Sequence, residues 1–281
     1  MIKFKKNMAH LGGRLLAYLL MAFIIVISVF PFLWVFLSSF KTQFQIMSDP
    51  LAVPESWKLT AYIRALTATP ILTFYRNSII LAVVSTVLTL MIVGMSAYVV
   101  ARYTFRGQAL IVLMFSSCLL IPSISLSYPV FRMIKTLGLY DSLAGLILVN
   151  VAFGLPVTFF IMRSYFLTIP RELSESAAID GAGFFRIFYS VIVPMAKPAF
   201  AAAGTFQFMW VWNEFYFSML LTSSDECRTL PLSLNYFMAQ FSADYPAMFA
   251  AVIMVVTPTI LVYSLMQKQV INGLTAGAVK G

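Results

Sequence analysis

Charge is scarce in this chain. Of 281 residues only 10% are Asp, Glu, Lys or Arg, against about 25% in an ordinary soluble domain. That shortage excludes a conventional soluble enzyme, a disordered chain and a fibrous repeat. Cysteine is almost as rare. Cys118 lies in an apolar run and Cys227 in a polar loop, which leaves neither a disulfide framework nor a Cys-x-x-Cys redox or metal motif. The single histidine, His10, belongs to a basic N-terminal stretch. No His-Glu-x-x-His pair and no paired carboxylates at a membrane face offer a catalytic centre. Nor is there a Gly-Lys dipeptide anywhere, so the phosphate-cradling Gly-x4-Gly-Lys-Ser/Thr loop is missing.

What is abundant is apolar: 61% hydrophobic residues with 26 Phe and 16 Met, and a mean hydropathy of +0.91. The solvent for most of the chain is therefore lipid. The net charge of +9 does not imply nucleic acid as a partner, because Lys and Arg sit between apolar runs, as flanks of membrane spans do.

Six stretches are long and apolar enough to cross a bilayer, which takes about 20 residues each. They lie near 15–37, 78–100, 109–131, 143–162, 198–222 and 246–266. The first holds 16 Leu, Ile, Phe and Val among 23 residues, which favours insertion by about 5–10 kcal/mol. Its length, and the absence of a small-x-small exit at Val35-Phe36-Leu37, mark it as an anchor and not a cleaved signal. Lys3, Lys5, Lys6, Arg14, Arg102, Arg106, Lys268 and Lys280 fall in three short segments that share one side. By the positive-inside rule that side is the cytoplasm. The expected layout is all-α: a cytoplasmic basic tail 1–14, a six-helix membrane domain 15–266 with an inner loop 163–197, and a cytoplasmic tail 267–281.

Pro122 with several serines in the third span, Asn150, Gly154 and Pro156 in the fourth, and Pro258 in the sixth free or compete for backbone groups. Such helices pack around a pathway or carry ordinary kinks satisfied within themselves. The fifth span is the weakest. Its eight Leu, Ile, Phe and Val give only about 2.4–4.8 kcal/mol, which the cost of Glu214, at least about 2.5–3.5 kcal/mol near a helix centre, nearly cancels. This helix needs protein or water beside Trp212-Asn213-Glu214. Two readings of Glu214 stand, lining a route or pairing with a neighbouring helix.

In the loop 163–197, Pro170 suits the first turn of a helix, and Glu172 and Glu175 suit the positive end of its dipole. Gly181 and Gly183 supply a stop. The result is a short helix with Ala177 and Ala178 as a small-residue face. Phe184, Ile187, Phe188, Val191 and Ile192 form a second amphipathic segment ahead of Pro194. Either a docking element or a generic interfacial helix fits this pattern.

Glu175-Ser176-Ala177, Gly181 after three intervening residues, and Val191-Ile192-Val193-Pro194 after nine more resemble the EAA loop of ATP-binding-cassette (ABC) importer permeases. Ser176, Val191 and Val193 depart from its commonest residues while the spacing is intact. Ser39-Phe40-Lys41-Thr42, Pro54-Glu55-Ser56-Trp57, Trp212-Asn213-Glu214-Phe215, Arg228-Thr229-Leu230-Pro231 and the ending Gly273 to Gly281 are similar to the shorter six-helix permease of the maltose-type carbohydrate branch. This resemblance implies a subunit that translocates a sugar or oligosaccharide across the cytoplasmic membrane. The implied partners are a sister permease in a heterodimer, two cytoplasmic ATPase subunits and an extracellular solute-binding protein.

No cofactor is expected in this chain itself, ATP and magnesium being bound by the ATPase subunits. Glu175, Ala177, Ala178, Asp180 and Gly181 would couple to an ATPase, and Gly273, Thr275, Gly277 and Lys280 would touch it from the tail. Asn150, Asn213 and Glu214 are the expected pathway or gating residues, with the sugar held mainly by the sister permease. The loop 223–245 would meet the binding protein, although its Ser223-Ser224-Asp225-Glu226 cluster also reads as a solvated turn. The competing classes are an ion-gradient-driven secondary transporter and a membrane enzyme. The first calls for inverted repeats and paired intramembrane acids, which are not evident here.

Overall fold

A computed structural model describes residues 2–237 and 244–278, with side chains for 14–237 and 244–268. In chain order the helices are α1 (Ile2–Ser38), α2 (Gln43–Ser48), α3 (Thr60–Ala68), α4 (Ile71–Arg102), α5 (Gln108–Leu120), α6 (Ser127–Thr136) and α7 (Leu143–Phe166). There follow α8 (Glu172–Ile179), α9 (Phe184–Met195), α10 (Lys197–Trp212), α11 (Tyr216–Leu221) and α12 (Tyr245–Ala278). No strand occurs among the described residues. The all-α membrane architecture expected from composition is what the chain forms.

Four helices are each long and apolar enough to cross a membrane: 14–38 within α1, α4, α7, and 245–268 within α12. Two bent pairs, 108–120 with 123–136 and 184–195 with 197–212, give six if each pair is counted as one span. In the third expected span the chain turns by 95° between α5 and the 3-10 turn Ser123–Leu126 that leads into α6. The residue before a proline is driven to extended backbone, and Ile121, at φ −92° and ψ 117°, ends α5 ahead of Pro122.

The fifth expected span, 198–222, is not one helix. α10 has 16 residues, about 24 Å of helix, short of the roughly 30 Å apolar layer. The chain breaks at Asn213-Glu214-Phe215 and resumes as α11. At its other end α10 meets α9 at 78°. α9 itself runs past Pro194 to Met195, because the π turn Phe188–Ile192 widens the backbone ahead of the proline. A wider turn accommodates the missing N–H and the ring that would strike the preceding carbonyls.

The chain divides into two compact units. The first draws on 1–69 and 234–254. Its core is Ala61 and Ala65 of α3 with Phe237, Ala247, Ala250 and Ala251. Arg64 grips Asp244 through two hydrogen bonds of 2.8 and 3.0 Å. Asp244 also caps α12 by accepting from Ala247 N–H. Partial burial pushes the Asp244 carboxyl up, but Arg64 and the cap outweigh it and hold it below the ordinary range. Residues 14–33 of α1 are exposed on every face, as a helix surrounded by lipid or by another membrane chain must be.

The second unit draws on 70–233 and 255–278. Here α4, α7 and α10 pack on one another through Val93, Ala97, Tyr98, Phe159, Met162, Phe166, Ala199 and Ala203. Alanines let the helix backbones approach closely, and the rings fill the space beside them. α9 joins the same core through Ile187, Phe188 and Ile192.

Candidate functional site

Two features of the second unit carry chemistry. The first is the elbow between α8 and α9. Glu172 and Glu175 stand in the first turn of α8. The helix ends when Gly181 N–H bonds Ala178 C=O and Ala182 N–H bonds Ala177 C=O, at 3.0 and 2.9 Å. That pair of bonds is a Schellman stop, and its left-handed residue is Gly181 at φ +81°. Gly183 is not part of the stop. Its backbone is extended and it opens α9.

The expected small-residue face is divided by this fold. Ala177 is half-buried and packs on the chain's own core beside Ala182 and Phe184. Glu175, Ala178, Asp180 and Gly181 are exposed, together with Ile179, which is 86% exposed. The elbow is seated by rings. Tyr98 of α4 lies 5.7 Å from Phe166, 5.9 Å from Phe184 and 5.3 Å from Phe188. Arg102, at the end of α4, donates to the carbonyl of Ile169 just before α8. A force applied to α8 therefore reaches α4 and α7 through packed side chains.

The second feature is a cavity of about 540 Å³ whose lining includes Asn150, Asn213 and Glu214 together, with Phe153, Phe206 and Trp210. All three expected pathway residues thus share one space, though only Asn213 has an open side chain. Asn150 is buried and donates to Leu146 C=O within α7. Its backbone carbonyl accepts from Gln207 Nε2 of α10 at 3.1 Å. Gln207 crosses where Gly154 leaves room, since a Cβ there would strike the Gln207 side-chain amide.

Glu214 does not reach for another span. Its carboxylate accepts from Phe217 N–H at 2.5 Å, and from Ser218 N–H and Ser218 Oγ–H at 2.8 Å each, capping α11. Trp212 is buried and donates to Val255 C=O of α12 at 2.9 Å, so the weak helix does find the protein beside it that its composition demanded. Asn213 donates to Met209 C=O and stays exposed. Trp210 and Phe206 escaped the sequence reading. Phe206, Trp210 and Asn213 fall at i, i+4 and i+7, which is the one signal that marks them as a shared face.

The segment 222–230 is held more firmly than a solvated turn. Asp141, a non-glycine residue at φ 55°, accepts from Ser223 N–H and Ser224 N–H at 2.8 and 3.1 Å. Its own N–H donates to Leu221 C=O. Burial pushes the Asp141 carboxyl up, but the N–H donors prevail and hold it below the usual carboxylate range. Asn77 Nδ2 donates to the carbonyls of Glu226 and Arg228, and Ser78 Oγ accepts from Leu230 N–H. In the tail, α12 carries Gly273, Thr275 and Gly277 in helical backbone, whereas Lys280 lies outside the described residues.

Residues 91–273 match the family described as binding-protein-dependent transport system inner membrane component. The chain is 35% identical over 254 residues to the diacetylchitobiose uptake system permease protein NgcG of Streptomyces coelicolor, covering 90% of this chain and 84% of that one. It is 34% identical over 260 residues to the trehalose/maltose transport system permease protein MalG of Thermococcus litoralis, covering 91% and 93%. Its fold is similar to a chain in the crystal structure of a bacterial ABC transporter involved in the import of the acidic polysaccharide alginate. That likeness has a TM-score of 0.80 at 22% identity, over 90% of this chain and 95% of that one.

Proposed function

We propose, for a chain that belongs to the family of binding-protein-dependent transport system inner membrane components and is a permease subunit of an ABC importer, that its cargo is a sugar or oligosaccharide. The relatives named for diacetylchitobiose and for trehalose and maltose support that class. A sister permease completes the pathway as a heterodimer. Two ATPase subunits bind the ATP and magnesium, for which this chain has no Gly-Lys loop. Both termini are cytoplasmic, in keeping with the Lys and Arg of the short segments.

The observation that carries the reading is the elbow. α8 presents Glu175, Ala178, Ile179 and Asp180 outward, while Ala177 roots it in the permease core. Seated in a groove of an ATPase subunit, Glu175 would pair with a basic group and Ile179 would bury its side chain. Gly181 fixes the angle at which the motion enters α9. The tail residues Gly273, Thr275, Gly277 and Lys280 supply a second contact with the ATPases. On the opposite side, the tied segment 222–230 offers the binding protein a fixed surface.

The test is reconstitution of the four-subunit complex in vesicles with its binding protein. ATP-dependent accumulation of labelled oligosaccharide is expected. Accumulation that ignores ATP and collapses with an ionophore would overturn the reading in favour of a gradient-driven carrier.

A further inference from the structure

The resemblance to maltose-type permeases leads one to expect the sugar on the sister subunit, yet this chain carries a surface of its own suited to a sugar. Trp210 and Phe206, with Phe153 and Ser123, line two cavities at once, of about 540 and 590 Å³. Both volumes fall in the roughly 300–1,000 Å³ range of small-molecule sites. Trp210 is 49% and Phe206 44% exposed. The neighbouring Trp212 shows what a structural indole does here: its N–H is spent on Val255 C=O and its ring stacks on Phe208 at 5.8 Å. Trp210 has neither bond nor ring partner among the described residues.

The chemistry of the lining selects the occupant. Glu214 lines the first cavity, but its oxygens accept from Phe217 N–H, Ser218 N–H and Ser218 Oγ–H, so most of its hydrogen-bonding capacity is spent on the N-terminus of α11 and contacts to a solute fall to the other polar groups. The remaining polar groups are neutral. Asn213 donates to Met209 C=O, and its Oδ1 accepts nothing among the described residues. Tyr216 OH shares a hydrogen with Ser127 Oγ. A lipid chain has no use for an indole N–H and an amide oxygen. A pyranose has use for both, because its C–H face lies on an aromatic ring and its hydroxyls reach neutral donors and acceptors at the ring's edge.

We propose that Trp210, supported by Phe206, is a stacking platform on which this subunit itself holds the sugar, with Asn213 bonding a hydroxyl at its edge. The inference rests on the sugar-importer reading and assigns part of the binding to this chain.

The experiment uses the whole importer in vesicles with its binding protein, and labelled maltose, trehalose and diacetylchitobiose as probes. Trp210→Ala is expected to raise the KM for uptake about tenfold, the loss of about 1.4 kcal/mol of binding, with ATP hydrolysis still stimulated by the binding protein. Trp210→Phe keeps the ring and is expected to stay within about twofold. Should Trp210→Ala fail to assemble, Trp210→Leu against Trp210→Phe decides, since only the latter retains an aromatic face. Equal KM values for the aromatic and aliphatic variants overturn the platform and leave the importer reading standing. Accumulation by the unaltered complex that ignores ATP and collapses with an ionophore overturns that reading itself.

Discussion

Two of the breaks in the second unit's helices arise differently, and the contrast separates what backbone encodes from what a side chain encodes. At Gly181 the chain turns because one residue adopts a left-handed backbone, and open space surrounds it. At Asn213-Glu214-Phe215 it turns because a carboxylate satisfies the N–H groups that the new helix leaves unpaired. The first stop faces outward and is free to meet a partner. The second holds the cavity wall in place.

Removing the carboxylate is the largest expected perturbation. Glu214→Ala strips two backbone N–H groups and a hydroxyl of a charged acceptor, at a cost of about 2–3 kcal/mol. A lowered thermal midpoint of the purified complex would register it. Glu214→Gln, which keeps one acceptor oxygen, should fall between. Equal midpoints for all three chains would show that the break at 213–215 does not depend on this side chain.

A steric change comes next. Gly154→Ala drives a methyl into Gln207 and should cost about 1–3 kcal/mol. Adding Gln207→Ala should recover much of that, a coupling visible in a double-mutant cycle. Strictly additive losses would remove the Gly154–Gln207 crossing from the account.

At Gly181 the cost is conformational, about 1–2 kcal/mol for Gly181→Val, read as reduced ATP-driven uptake. Gly181→Asn should be milder, because Asn tolerates the left-handed region. Identical uptake by the Val and Asn variants would contradict a backbone origin for the elbow.

The smallest effect concerns Asp141. Its carboxyl is held below the ordinary value, so its stabilisation is fully present above the unfolded value of about 3.9 and is lost as pH falls through the lower folded value. Amide protection of Ser223 and Ser224 should stay constant from about pH 8 to 5. Asp141→Asn should reduce it at neutral pH by about 1 kcal/mol or less, since a neutral acceptor replaces a charged one.

These two stops also explain what the sequence disclosed. Gly181 was legible because only a few residues favour positive φ and the EAA spacing frames it. The long apolar helices were legible from length alone, and the low apolar content of 198–222 did foretell a helix that leans on protein. The break itself was not visible, because a capping carboxylate and an intramembrane site look alike in one dimension. Ala177 could not be told from Ala178, since the side on which α8 meets the core depends on where Tyr98, Phe166 and Phe188 converge. Asp141 and Asn77 act on residues 82 and 149 positions away, and no local pattern announces such a tie.

α8 is the element proposed to take force from a separate ATPase. Co-purification of the ATPase subunits with Glu175→Lys, scored beside sugar uptake, tests that directly. Reversing the charge on an exposed helix should release the ATPases and abolish uptake while the permease pair stays assembled. Full retention of both ATPases and undiminished uptake would contradict the claim.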